Sequence, residues 1–331
     1  MSTQKSIPLI DFSNFLKSSD LKVAQEIGKA CAEYGFFTLT HHGVDETLQS
    51  ELENLSQQFF GQNLEEKMKI SMKLGGRAWR GYFPVGEELT SGQADHKEGV
   101  YFGEEIGDQD PRVQQGLPLH GKNLFPQFPA GFKDVVLKYE LAMTNLAHEL
   151  MRAISMSLDL APNYFHQHFT EDPLILFRIF HYPATSSEKE DQYPWGVGEH
   201  TDYGLLTLLK QDDKGGLEAK IKEDWISVPP VPNSFVCNVG DMLDYLTQGK
   251  YRSLPHRVKN ISGKSRYSFP FFFDPNFKAK IQALNGSFEN TVMAHNRWDH
   301  ADLYQFKGTY GDYLLKKVSK VFPVLAQSKL K

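Results

Sequence analysis

Leu174-Ile175-Leu176-Phe177-Arg178-Ile179-Phe180-His181-Tyr182, directly after Pro173, opens a stretch of short apolar or alternating runs separated by turn residues. Further runs follow at Leu205 to Lys210, Leu217 to Ile221, Trp225 to Val228, Phe235 to Val239, Arg257 to Asn260 and Arg266 to Phe273. Between them stand the turn signals Lys214-Gly215-Gly216, Pro229-Pro230, Gly240-Asp241 and Ser262-Gly263-Lys264. Many short strands at this spacing belong to a sandwich or barrel, so residues 173–331 read as a jelly-roll core closed by a C-terminal helix.

Upstream, residues 1–172 read as a mainly helical region with short strands that packs on that core. Ile7 to Asp11 and Phe36 to Thr40 have the texture of strands. Asp20 starts a helix whose apolar stripe is Ala24, Ile27, Cys31 and Tyr34, stopped by Gly35. Leu48, Leu52, Leu55 and Phe59 repeat at helical spacing after Asp45, and Tyr139, Met143, Leu146, Leu150 and Ile154 do so after Gly131. The fold class expected is therefore mixed α and β, a jelly roll with N-terminal and flanking helices. Polar segments at Thr185 to Gln192 and Gly107 to Gly116 read as surface loops.

The chain has 331 residues, 40% hydrophobic and 13% aromatic, enough for a large buried core. A net charge of -5 and a pI near 6.2 offer no cationic field, so no nucleic acid and no anionic membrane is expected as a partner. Cys31 and Cys237 each sit in an apolar run, as small buried thiols of a reducing compartment do. Met1 to Ser6 has no apolar signal region and no segment is long enough to span a bilayer. A cytoplasmic location is the expectation. The peroxisome-like Ser328-Lys329-Leu330 is followed by Lys331, which blocks a receptor that reads a free C-terminus.

His200-Thr201-Asp202 is followed 56 positions later by His256. On an extended segment, side chains at i and i+2 share a face, so His200 and Asp202 can bind one ion while His256 arrives from another strand. Two imidazoles and one carboxylate on one side leave half of an octahedron open, the facial triad of non-haem Fe(II) oxygenases. A closed zinc site would need a fourth ligand. Ten residues past His256, Arg266-Tyr267-Ser268 puts a guanidinium and a hydroxyl on one strand face, suited to the distal carboxylate of 2-oxoglutarate. His41 and His42, on a presumed strand, point apart, and His166 and His168 diverge on a short helix. Asp241 reads as a turn residue bonding its own backbone, and Phe269 to Phe273 as core.

His-x-Asp, then His, then Arg-x-Ser resembles the isopenicillin-N-synthase-like branch of the Fe(II)/2-oxoglutarate dioxygenase superfamily. The resemblance spans nearly the whole chain. It includes Ile7-Pro8-Leu9-Ile10-Asp11, Tyr34-Gly35-Phe36-Phe37, His42-Gly43-Val44, Arg80-Gly81-Tyr82 and Asp95-His96-Lys97-Glu98. Later come His200-Thr201-Asp202-Tyr203-Gly204, Asn238-Val239-Gly240-Asp241 and His256-Arg257-Val258.

The resemblance implies a double-stranded β-helix holding Fe(II) through His200, Asp202 and His256. It implies 2-oxoglutarate on Arg266 and Ser268 with Tyr182 beside it, O2 as oxidant and ascorbate as supporting reductant. The activity implied is oxidation, by default hydroxylation, of a small organic metabolite with release of succinate and CO2. Phe180 stands where many members carry Asn. The alternatives are an Fe(II) oxidase drawing all electrons from its own substrate, and a non-catalytic jelly-roll binding protein.

Strand phase turns Arg178 inward with Tyr182. No carboxylate lies at its i±2 neighbours, so its partner is either a polar or acidic substrate or a carboxylate from another strand. The resemblance places Tyr82, Tyr101 and Phe102 on the pocket wall.

Overall fold

The computed structural model describes residues 6–90, 92–185, 194–284 and 303–321. Along the chain it runs β1 (Leu9–Asp11), α1 (Ser13–Ser18), α2 (Leu21–Glu33), β2 (Phe36–Thr40), α3 (Glu46–Phe60) and α4 (Leu64–Met68). Then follow β3 (Gly81–Phe83), β4 (Glu98–Gly103), α5 (Pro111–Gln114), α6 (Phe132–Ser157) and β5 (Leu174–Tyr182). The later half holds β6 (Trp195–His200), β7 (Leu206–Gln211), β8 (Leu217–Ile221), β9 (Asp224–Ser227) and β10 (Ser234–Val239). It closes with α7 (Asp241–Leu246), β11 (His256–Lys259), β12 (Arg266–Asp274) and α8 (Tyr310–Val321).

Two sheets face one another in a jelly roll. The larger has the order β1-β2-β10-β7-β12-β5-β4-β3 and the smaller β6-β11-β8-β9. The N-terminal strands therefore flank the jelly-roll strands on both sides of one continuous sheet. Strand alternation divides the larger sheet into two faces. On β5 and β12, Phe177 and Phe273 turn outward, where Phe177 meets Tyr139 of α6 at 5.1 Å and Phe273 meets His148 of α6 at 4.9 Å. Leu176, Arg178, Phe180 and Tyr182 turn inward to a cavity between the sheets.

The helices form where stripes and caps agree. Asp20 caps α2 by accepting from the Lys22 N–H at 2.9 Å, and Asp45 caps α3 through the Thr47 N–H at 2.7 Å. Gly35, at a φ of 64°, ends the α2 segment in the left-handed region that suits glycine. α6 then packs the apolar stripe through Tyr139, Met143, Leu146, Leu150 and Ile154 against the sheet and against α2 and α3.

Several expectations are corrected. β3, β4 and β6 are strands that sequence pattern did not reveal, since they are short or rich in glycine and charge. Asp241 does not close a turn on itself. It begins α7, and its Oδ2 accepts from the Tyr313 hydroxyl of α8 at 2.6 Å with Lys317 Nζ 3.8 Å away, both unforeseeable from local sequence. β2 stops at Thr40, so His41 and His42 lie beyond the strand, His41 at a φ of 51°. His42 is buried against Phe235, and its Nδ1 accepts from the Val44 N–H. His166 and His168 fall in a single π-helical turn, His166–Thr170, with His168 packed on Tyr164.

Cys31 and Cys237 are buried free thiols, as expected. Among the described residues no helix is long and apolar enough to cross a membrane. Met1 to Lys5, most of the Thr185 to Gln192 loop and the Ser328 to Lys331 tail lie outside the described residues.

Candidate active site

β6 and β11 run antiparallel with His200 directly opposite His256, so the sheet register itself brings the two imidazoles together. Their ring centroids are 4.2 Å apart. Asp202, two residues beyond the end of β6, completes the group: His200 Nε2 lies 3.9 Å from its Oδ1 and His256 Nε2 3.7 Å from its Oδ2. Among the described residues this is the one group of three or more His, Cys, Asp or Glu side chains whose donor atoms lie within 4.8 Å of one another.

The protonation of this group suits a cation. His200 Nδ1 sits 2.8 Å from the Gly198 carbonyl, which fixes the proton on Nδ1 and leaves the Nε2 lone pair free. Burial first, and the neighbouring His256 imidazole second, push the His200 imidazole down to about 3, so it is neutral at ordinary pH. Burial raises the Asp202 carboxyl, but His256, His200 and two hydrogen bonds outweigh it and hold the group below the usual range. Those bonds come from Thr207 Oγ1 at 2.6 Å and Asn238 Nδ2 at 2.8 Å, both to Oδ2. Thr207 and Asn238 were visible in the sequence only as parts of motifs, since their role depends on β7 and β10 lying next to each other.

A second polar group lines the same cavity. Arg266 is fully buried at the start of β12, its guanidinium 4.6 Å from the Tyr182 ring. Its Nε donates to the Gly215 carbonyl at 2.5 Å and its Nη2 to Gln211 Oε1 at 3.4 Å, while Nη1 is buried with no hydrogen-bond partner among the described residues. Ser268 Oγ lies 3.3 Å from the Tyr182 hydroxyl. A buried guanidinium with an unspent donor, beside two hydroxyls, fits a carboxylate ligand. Tyr182 can stand there because residue 196 is glycine; a Cβ would meet its ring at 2.5 Å.

The cavity lies between the two sheets and holds both polar groups. Phe36, Val197, Leu209, Leu217 and Val258 make much of its wall apolar, and Leu314, Val318 and Val321 of α8 cover one side.

Arg178 lies on the cavity wall as strand phase requires. Glu88, from the segment between β3 and β4, stands 3.8 Å from its Nη1, so the carboxylate missing from its own strand comes from elsewhere. The wall assignments for Tyr82 and Phe102 do not hold. Both fall on the helix-facing side of the sheet, where Tyr82 donates to Glu98 and stands 6.0 Å from Phe59, and Phe102 packs on Phe125 and Phe132. Tyr101 has the other phase but stands behind Arg178, its ring 4.2 Å from the guanidinium. In their place the segment before β4 supplies Glu88, Thr90 and Lys97 to the cavity.

Comparison with known proteins agrees with this geometry. Residues 7–128 match a family model described as non-haem dioxygenase in morphine synthesis N-terminal, and residues 172–275 match that of the 2OG-Fe(II) oxygenase superfamily. The chain is 48% identical to a Dictyostelium discoideum protein named iron/ascorbate oxidoreductase, over 99% of this chain and 98% of that one. It is 40% identical to a 1-aminocyclopropane-1-carboxylate oxidase of the same organism, over 96% of each. A full-length Neurospora crassa protein crystallised with alpha-KG superposes with a TM-score of 0.79 at 29% identity, over 96% of this chain and 98% of that one.

Proposed function

Since this chain belongs to the 2OG-Fe(II) oxygenase superfamily, we propose that His200, Asp202 and His256 hold its Fe(II) and that Arg266, Ser268 and Tyr182 hold its 2-oxoglutarate. The protein is an oxidoreductase that acts on a small molecule with Fe(II) and 2-oxoglutarate. The observation that carries the residue assignment is the unpartnered Nη1 of fully buried Arg266, in the same cavity as the three metal-type donors.

When bound, Fe(II), 2-oxoglutarate and O2 together supply an oxidant for a C–H bond while the cosubstrate is decarboxylated to succinate. The protein's own part is geometric and electrostatic. The Gly198 carbonyl aims His200 Nε2, and Thr207 with Asn238 occupies Oδ2 of Asp202 so that Oδ1 is free to coordinate. Arg266 and Ser268 pin the distal carboxylate of 2-oxoglutarate, and the Tyr182 ring stacks against the guanidinium on the inner wall. The apolar wall and α8 keep bulk water from the reacting bond.

Succinate release under Fe(II), ascorbate and O2, measured across a metabolite panel that begins with 1-aminocyclopropane-1-carboxylate, tests the reading. Stimulation above the substrate-free rate is the expected result. Substrate oxidation without succinate would instead identify an oxidase whose electrons all come from its substrate.

A further inference from the structure

The wall of this cavity carries a second polar cluster, at the end away from Arg266. β12 lays Arg266, Ser268, Pro270, Phe272 and Asp274 along one inward face, so Arg266 and Asp274 stand eight residues apart, roughly 26 Å of strand at about 3.3 Å per residue. Asp274 is 2% exposed. Its Oδ2 accepts from the Tyr310 hydroxyl, while its Oδ1 has no hydrogen-bond partner among the described residues. Oδ1 rests on the bare Cα of Gly204, where a Cβ would lie 1.5 Å from it, so glycine at 204 is what lets the carboxyl sit on the wall. Arg178 leans toward the same end, its guanidinium 4.6 Å from the Phe272 ring, and its Nε is likewise buried and unpartnered. One orphan acceptor and one orphan donor thus border the same end of one cavity.

Further charged groups stand around them. Lys97 Nζ lies 2.8 Å from Glu88 Oε2 and 2.6 Å from Asp95 Oδ2, and Glu88 is also the partner of Arg178. With Asp274 counted, two cations, Lys97 and Arg178, stand against three carboxyl groups, Glu88, Asp95 and Asp274, so a ligand that sets a carboxylate on Arg178 needs a cationic group to offset Asp274. A buried donor or acceptor left without a partner destabilises the fold, and a ligand carrying both complements removes that penalty at both places.

We propose that this end of the cavity recognises the zwitterion of a free amino acid, its carboxylate accepting from Arg178 Nε and its protonated nitrogen donating to Asp274 Oδ1. The assignment rests on the oxygenase reading of the site and names the substrate class for it. The substrate then lies along the inward face between Asp274 and the three metal-type donors, with its side chain toward them.

The test is calorimetric titration, under nitrogen, of the protein loaded with Fe(II) and 2-oxoglutarate. The probes are free α-amino acids spanning acidic, basic, apolar and cyclic side chains, each beside its N-acetyl and methyl-ester derivatives. At least one free amino acid should bind, and blocking either of its ends should weaken it tenfold or more. In Asp274→Asn, which keeps size and an acceptor for Tyr310, the preference for the free over the N-acetylated form should shrink at least tenfold; in Arg178→Met the preference over the methyl ester should shrink likewise. Binding by none of the free amino acids, or undiminished discrimination in a folded Asp274→Asn, overturns the proposal. Substrate-free succinate release by the unaltered protein judges the oxygenase reading separately, because it needs no amino acid.

Discussion

At the scale of single residues the site divides into groups that bind and groups that aim. In the proposed assignment His256 binds, brought opposite His200 by strand register, and its removal would subtract one of three ligands without emptying the apolar core. His256→Ala should therefore remain folded by circular dichroism while iron content and succinate release fall together to background. Normal iron content in that variant would remove His256 from the ligand set. Arg266 uses a planar fork, with Nε and Nη2 engaged by the protein and Nη1 in reserve. Arg266→Lys keeps the charge and loses the fork. The loss should be on the order of 2 to 5 kcal/mol, a rise of roughly 30-fold or more in the concentration of 2-oxoglutarate needed for half-maximal turnover. An unchanged requirement would detach Arg266 from the cosubstrate.

At the scale of elements, alternation on β5 separates stability from function. Phe177 turns to α6 and Phe180 to the cavity, though they sit three residues apart on one strand. Phe177→Ala should cost about 3–5 kcal/mol, read as a lower urea midpoint. α8 is tied to the opening turn of α7 by the Tyr313 hydroxyl on Asp241, and carries Leu314, Val318 and Val321 over the cavity. Tyr313→Phe keeps the ring and removes that bond. Its expected effect is a larger fraction of 2-oxoglutarate consumed without substrate oxidation, with iron content unchanged; a ratio equal to that of the unaltered protein would show that the bond does not hold the cover in place.

At the scale of the whole molecule, the buried histidines set an acid limit. Burial pushes His42 down to about 4 and His200 to about 3, and lowers His120 and His148 as well. Their folded-state values lie below the unfolded value of about 6.5, so below that pH the unfolded chain binds more protons than the fold does. Stability is full above about pH 6.5 and is lost as pH falls toward 4. The thermal midpoint of the metal-free protein should drop between pH 7 and pH 5, and His42→Gln, which retains an acceptor for Val44, should flatten that drop. A slope identical in the two proteins would assign the acid limit to other groups. The sequence by itself determined the fold class, from the run beginning at Leu174, and singled out His200, Asp202, His256, Arg266 and Ser268 as candidates that the fold brings to one cavity, because strand period and ligand chemistry are local properties written at fixed spacing. It placed Arg178 on the inner face for the same reason. Only the tertiary structure decided that Asn238 and Thr207 hold Asp202, that Glu88 reaches Arg178, and that Tyr82 and Phe102 face the helices. Each of these depends on which strands become neighbours and in what register, and pairing between segments tens of residues or more apart is fixed by how the whole chain buries its apolar faces.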